Sequence, residues 1–246
     1  MDRMRQLKRI AKRILAPVFR LSANREAGLE TEVRFWDRWL REKGSASPDD
    51  FRYHDYRYRL DARAPVAGWH RELVDKIASD FVAVLDVGAG PVTALGKRHD
   101  SKRLSITAVD PLADEYAALL KRHRLDPPVR TRRGAGEELA RLFGRGAFDL
   151  VIAQRCIDHS VDPVACVKNM VEVCRVGGVV ALEHEENLAV NAAYRGLHQW
   201  NFGLRGGELV VSGPYRKSID EELRGLVRWE HRLERGIIRS WCLKRS

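Results

Sequence analysis

The segment Val82-Ala83-Val84-Leu85-Asp86-Val87, followed by Gly88-Ala89-Gly90, constrains this chain more than any other part of it. A short apolar run without polar alternation suits a strand covered on both faces. It ends in two glycines one residue apart, which allow a tight turn and a close backbone approach that a Cβ would block. A buried strand entering such a turn opens a parallel α/β arrangement with helices packed on the sheet.

The chain beyond residue 90 repeats that theme. Leu104–Val109 reads as a second strand closed by Asp110-Pro111, Ala113–His123 as a helix and Val129–Arg133 as a third strand. Glu137–Phe143 reads as a short helix, Phe148–Ala153 as a fourth strand and Pro163–Val173 as a helix. Gly177-Gly178 breaks the chain before a fifth strand over Val179–Glu183. Leu226–Leu233 and Ile237–Leu243, joined across Glu234-Arg235-Gly236, predict an antiparallel hairpin. The expected sheet is therefore mostly parallel, with one reversed strand near the C-terminus. Upstream, helices are expected over Met1–Leu21, Leu29–Lys43 and Trp69–Ser79, with a loop at Gly44–Pro48. Phe51–Leu60 shows no clear period. This divides the chain into a basic helical cap, residues 1–68, and a main domain, residues 69–246.

A full dinucleotide fingerprint would require a third glycine at position 93, where Thr93 stands, and Pro91 intervenes; this argues against a bound pyrophosphate. Asp110 ends the second strand 20 residues beyond Gly90, where a carboxylate accepts hydrogen bonds from both hydroxyls of a ribose. Val84–Pro91 resembles the first motif of the class I S-adenosylmethionine-dependent methyltransferases, and Ile106–Pro111 the second. Gly134–Leu139 is similar to the segment flanking the adenine, Phe148–Ala153 to the fourth strand, Ile157–Pro163 to the loop after it, and Arg175–Leu182 to the turn and fifth strand.

The resemblance implies a Rossmann-like, seven-stranded sheet and S-adenosylmethionine as cofactor. It implies that Asp86 organises the glycine turn and reaches toward the amino-acid end of that cofactor. Gly88, Ala89 and Gly90 would lie under that end, with Asp110 and Pro111 at the ribose and Gly136 and Glu137 near the adenine. Ala135 stands where many members carry an acidic residue. Gln154, ending the fourth strand, would face cofactor and acceptor.

Ligands of open α/β sheets bind beyond the carboxyl ends of the strands. Asp158-His159 and Glu183-His184-Glu185-Glu186-Asn187 fall there, followed by Tyr194-Arg195-Gly196-Leu197-His198-Gln199-Trp200-Asn201-Phe202. A hydroxyl acceptor needs a base within reach, and His184, His159 and His198 are the candidates. Asp158, Glu183, His184 and Glu185 are oxygen- and nitrogen-rich enough for magnesium, but a charged cleft rim accounts for them, and no metal ligand is assigned. Trp36, Trp39, Tyr53, Tyr56 and Tyr58 suit a core or a cover over the acceptor, with Tyr56 or Tyr58 expected to touch it. The stretches EHEEN and YRGLHQWNF resemble bacterial methyltransferases of surface-polysaccharide and related sugar pathways. O-methylation of a sugar or glycan precursor is therefore expected. A lipid-like or secondary metabolite is the alternative acceptor, and an RNA-binding or RNA-modifying protein the alternative class.

Composition bounds these readings. The net charge of +10 admits nucleic acid, an anionic surface or an acidic substrate, but no recognisable nucleic-acid-binding module accompanies it. Residues 1–21 combine an apolar stripe with cations, which suits a peripheral membrane contact as well as a helix docked on its own domain. Cys156, Cys166, Cys174 and Cys242 have no C-x-x-C pairing, so reduced thiols in the cytoplasm are expected. Oligomeric state has no sequence signature here.

Overall fold

The computed structural model describes residues 23–45 and 47–245; the helix expected over Met1–Leu21 lies outside them. Two helices come first, α1 (Ala23–Arg41) and α2 (Phe51–Leu60). The aperiodic stretch is thus helical: Asp50 caps it by accepting from the Arg52 amide at 2.9 Å, and Tyr56 alone is buried from it. Helix α3 spans Gly68–Asp75.

The sheet then begins with β1 (Phe81–Val87) and β2 (Arg103–Asp110), followed by α4 (Ala113–Arg122) and β3 (Thr131–Arg133). Next come α5 (Leu139–Phe143), β4 (Phe148–Gln154), α6 (Pro163–Val173) and β5 (Cys174–Glu185). Beyond them are α7 (Leu188–Asn191), β6 (Asn201–Arg205), β7 (Glu208–Ser212), β8 (Arg216–Ser218) and α8 (Ile219–Glu222). The hairpin β9 (Trp229–Glu234) and β10 (Ile237–Leu243) closes the chain.

Seven strands form one sheet in the order β3-β2-β1-β4-β5-β10-β9. β1 pairs in parallel with β2 and β4, and β4 with β5, while β10 runs antiparallel to both its neighbours. The order reverses between β1 and β4, which makes the carboxyl end of β1 the crevice of the fold. Arg235 and Gly236, both with positive φ, make the two-residue turn of the last hairpin. Gly177-Gly178 does not break the chain: β5 starts at Cys174 and absorbs Gly177, at φ +80°, through a register shift against β4.

Strand alternation divides the core. Val82, Val84, Leu150, Ile152, Val179 and Ala181 face Trp69, Leu73 and Val74 of α3. Leu85, Val87, Val151, Ala153, Val180 and Leu182 face Val164, Val167 and Met170 of α6. Each such side chain contributes roughly 1.5–3 kcal/mol when fully buried. Leu40, Tyr56, Tyr116 and Leu119 form a third cluster that ties α1 and α2 to α4.

The strands β6, β7 and β8 build a small antiparallel sheet that the sequence reading did not anticipate. It packs Phe202, Leu209 and Val211 into the same core as α6. Its hairpin turns at Gly206-Gly207, both with positive φ.

Candidate active site

The glycine turn is held from three sides. The Gly88 and Ala89 amides donate to the Val109 carbonyl at 2.8 and 3.1 Å, joining the ends of β1 and β2. Gly88 and Gly90 have φ of +68° and +64°. A Cβ on Gly88 would stand 2.4 Å from that of Cys156, and one on Gly90 would meet the Trp36 ring at 2.8 Å. Glycine is required at both places by conformation and by space. The buried Asp86 carboxylate accepts from the Thr93 hydroxyl at 2.5 Å, and that oxygen accepts from the Leu95 amide, so Asp86 fixes the segment after the turn.

Asp110 accepts from the Gly90 amide at 3.1 Å through one oxygen and from the Leu112 amide at 2.9 Å through the other. A carboxylate offers about four acceptor positions, so two remain for ribose hydroxyls. Burial raises Asp86 and Asp110 to about 6 each, and the backbone amides on Asp110 work against that shift. Both charges are costly here without a partner, which suits a ligand carrying hydroxyls and positive charge. The exposed Pro111 follows Asp110 on the rim.

Gln154, Glu183 and Arg239 share the α3 face at the strand ends, as period-2 alternation from Ile152 and Ala181 requires. Gln154 Oε1 is buried without a hydrogen-bond partner. His70 of α3 lies beside Gln154 and Glu183, and burial lowers its pKa. It was missed in the sequence reading because a lone His after Trp69 carries no motif. Glu183 accepts from Arg239 at 2.8 Å and lies 3.5 Å from Arg155.

His184 points to the opposite face from Glu183. It is 2 % exposed, and its ring stacks on Phe202 at 3.8 Å with an interplanar angle of 5°. Burial pushes its pKa down to about 4. The four residues considered for magnesium therefore do not converge: Glu183 is neutralised by arginines on one face while His184 is sandwiched on the other.

His159 and His198 do converge. His198 Nδ1 lies 2.7 Å from Asp158 Oδ2 and 3.0 Å from His159 Nε2. Burial would raise Asp158, yet the hydrogen bond with His198 and the neighbouring His159 and His184 hold it below the usual carboxylate range. The same bond raises His198. Two hydrogen bonds pin this cluster: the Gln199 amide donates to the Asp158 carbonyl at 3.2 Å, and the Trp200 indole Nε1 to the Ser160 carbonyl at 3.0 Å.

Several of the expected contact residues are engaged by neighbours within the protein. Glu137, expected beside the adenine, commits Oε1 to the Val161 and Asp162 amides at 2.9 and 3.2 Å, and so shapes the loop after β4. Gly136 packs against Cys166, whose sulfur would lie 2.8 Å from an added Cβ. Tyr56 is buried in the α1–α4 cluster and Tyr58 donates to the Pro65 carbonyl at 2.7 Å, so neither is free for an acceptor. Helix α1 instead covers the site: Trp36 lies on Gly90, Gly28 abuts Leu197, and Arg25 donates to the His159 carbonyl at 3.1 Å.

Part of the chain that builds the site matches a known domain family. Residues 85–182 match the family described as "Methyltransferase domain", a span running from β1 through β5. No curated protein matches the sequence. Among solved structures, an S-adenosylmethionine-dependent methyltransferase from Clostridium acetobutylicum is 13% identical, with 72% of this chain and 89% of that chain covered and a TM-score of 0.45. An O-methyltransferase family protein from Burkholderia thailandensis is 15% identical, with 83% and 63% covered and a TM-score of 0.47. A protein from Pyrococcus horikoshii is 13% identical, with 80% and 93% covered and a TM-score of 0.47. Residues 85–182 therefore match a methyltransferase domain, and the glycine turn with its buried carboxylates lies within that span.

Proposed function

We propose that the enzyme O-methylates a hydroxyl of a sugar or glycan precursor. The observation that carries this reading is the Asp158–His198–His159 chain at the end of β4, because a hydroxyl is a weak nucleophile and needs its proton removed. When bound, S-adenosylmethionine supplies a methyl carbon on a positively charged sulfur. Asp86 and Asp110 hold the turn that receives it, and the imidazoles accept the acceptor's hydroxyl proton. Asp158 orients His198 and stabilises the resulting positive charge. His184, buried and held neutral, supports Phe202 rather than meeting substrate.

The carbohydrate class draws on a second feature. A cavity of about 250 Å³ between α7 and the small sheet is lined by Asn187, Tyr194, Asn201, Ser212, Arg205 and Arg216, among others. Amides, hydroxyls and guanidiniums suit a polyhydroxylated, anionic ligand such as a phosphorylated or nucleotide-linked sugar. Four unpaired cysteines suit the reducing cytoplasm, where such precursors are made. Among the described residues no helix is long and apolar enough to cross a membrane.

The test is release of S-adenosylhomocysteine with a panel of nucleotide sugars. His198→Ala should lower kcat by about 10²–10⁴-fold while S-adenosylmethionine affinity holds. Unchanged kcat in that variant, with any sugar that turns over, would refute the base assignment. Turnover restricted to RNA or lipid-like acceptors would refute the acceptor class.

A further inference from the structure

We propose that Asp158, His159 and His198 bind a divalent first-row transition-metal ion. The three donor atoms form a small triangle: His198 Nδ1 to Asp158 Oδ2 is 2.7 Å, His159 Nε2 to His198 Nδ1 is 3.0 Å, and His159 Nε2 to Asp158 Oδ2 is 3.6 Å. For metal–ligand bonds of about 2.1 Å, adjacent ligands lie about 3.0 Å apart in an octahedron and about 3.4 Å apart in a tetrahedron. The triangle brackets both values.

Protons alone fit this triangle poorly. If His198 Nδ1 carries a hydrogen and donates it to Asp158, it has no lone pair left for His159. If it instead accepts from His159 Nε2–H, its lone pair faces the Asp158 carboxylate. With a linear hydrogen bond to one neighbour, the other short contact is left without its proton. A cation at the centre satisfies all three groups at once.

An independent observation points the same way. Asp158 is 2 % exposed, and its second oxygen, Oδ1, is buried without a partner. A buried carboxylate with an unpaired oxygen is expensive, and a cation held through Oδ2 offsets this by neutralising the charge that both oxygens share. The imidazoles are 19% and 33% exposed, so the cluster reaches solvent. Three protein ligands with open positions is the form of a reactive rather than a structural metal centre. Two nitrogens and one carboxylate favour iron, cobalt, nickel or zinc over magnesium or calcium, which prefer oxygen.

This inference rests on the proposed function for the use of the ion and changes its proton step: with both imidazoles coordinated, they hold a divalent cation whose charge lowers the pKa of the acceptor hydroxyl, in place of taking the proton themselves. The site itself is tested without turnover. The full chain is stripped with chelator and titrated with Co²⁺, read by visible d–d absorption, and Zn²⁺ is then added as competitor. One equivalent should bind with a Kd in the micromolar range or tighter, Zn²⁺ should displace it, and excess Mg²⁺ should not. His159→Ala and His198→Ala should each weaken Co²⁺ at least tenfold while still binding S-adenosylmethionine, which certifies their fold. A wild-type chain that binds S-adenosylmethionine but neither Co²⁺ nor Zn²⁺ would overturn the metal site and leave the methyltransferase reading intact. Wild-type Co²⁺ affinity in both variants would overturn the assignment equally.

Discussion

Trp36 lies directly over Gly90: a Cβ built on the glycine would meet the indole ring at 2.8 Å. The ring is braced by Trp36 Nε1 donating to Glu32 at 2.9 Å and by an edge contact with Tyr116 at 6.4 Å. Helix α1 thus packs on the glycine-turn end of the sheet. Trp36→Ala should leave the chain folded and weaken S-adenosylmethionine by about tenfold, the 1.4 kcal/mol scale of one lost packing contact. Gly90→Ala should do worse, since it adds a positive-φ penalty to the clash, and Trp36→Ala should relieve only the clash. Calorimetric affinities for the two single variants and the double variant check this; full recovery in the double would show that backbone conformation is irrelevant at Gly90.

Asp86 gives a pH dependence of defined sign. Burial holds its proton to about pH 6 in the folded chain, against 3.8 for the free side chain. Between those values the native state binds more protons than the unfolded one, so this contribution to stability is full below about pH 4 and is lost as pH rises through about 6. The whole span is worth at most about 3 kcal/mol. The melting temperature of Asp86→Asn minus that of wild type should climb across this window and level off above it. A difference that stays flat with pH would contradict the raised pKa. S-adenosylmethionine, being cationic, should bind more tightly as the same window is crossed upward.

His184 distinguishes a packing histidine from a base. Its Nε2 is buried without a partner and its ring stacks on Phe202. Replacing an unsatisfied buried polar ring by an apolar one of similar shape is close to neutral or stabilising. His184→Phe should therefore melt at or above the wild-type temperature and keep turnover, whereas Phe202→Ala should lose about 3–5 kcal/mol. Lost turnover in His184→Phe with an unchanged melting temperature would make His184 the base after all.

The main sheet was largely legible in the sequence because its strands are short apolar runs punctuated by glycine and proline, and the reversed hairpin announced itself at Arg235-Gly236. The small sheet was not read, although Gly206-Gly207 between Asn201–Arg205 and Glu208–Ser212 is itself a two-residue hairpin signal. Helix α2 was hidden for a different reason: it buries only Tyr56, so no apolar period exists to be found. Asp86, Gly88, Gly90 and Asp110 could be placed because their spacing is fixed by β1 and β2. The grouping of Asp158 with His198 could not, because 40 residues separate them and only the packing of the loop after α7 brings them together.

Residue 110 offers the most direct measurement. Calorimetric titration of the folded chain with S-adenosylmethionine and S-adenosylhomocysteine should give Kd values in the micromolar range. Asp110→Ala, with folding verified by its thermal transition, should lose about 100-fold or more, since it removes a charged acceptor for two ribose hydroxyls. No heat from the folded wild type, or equal affinity in Asp110→Ala, would contradict the cofactor site described for the glycine turn.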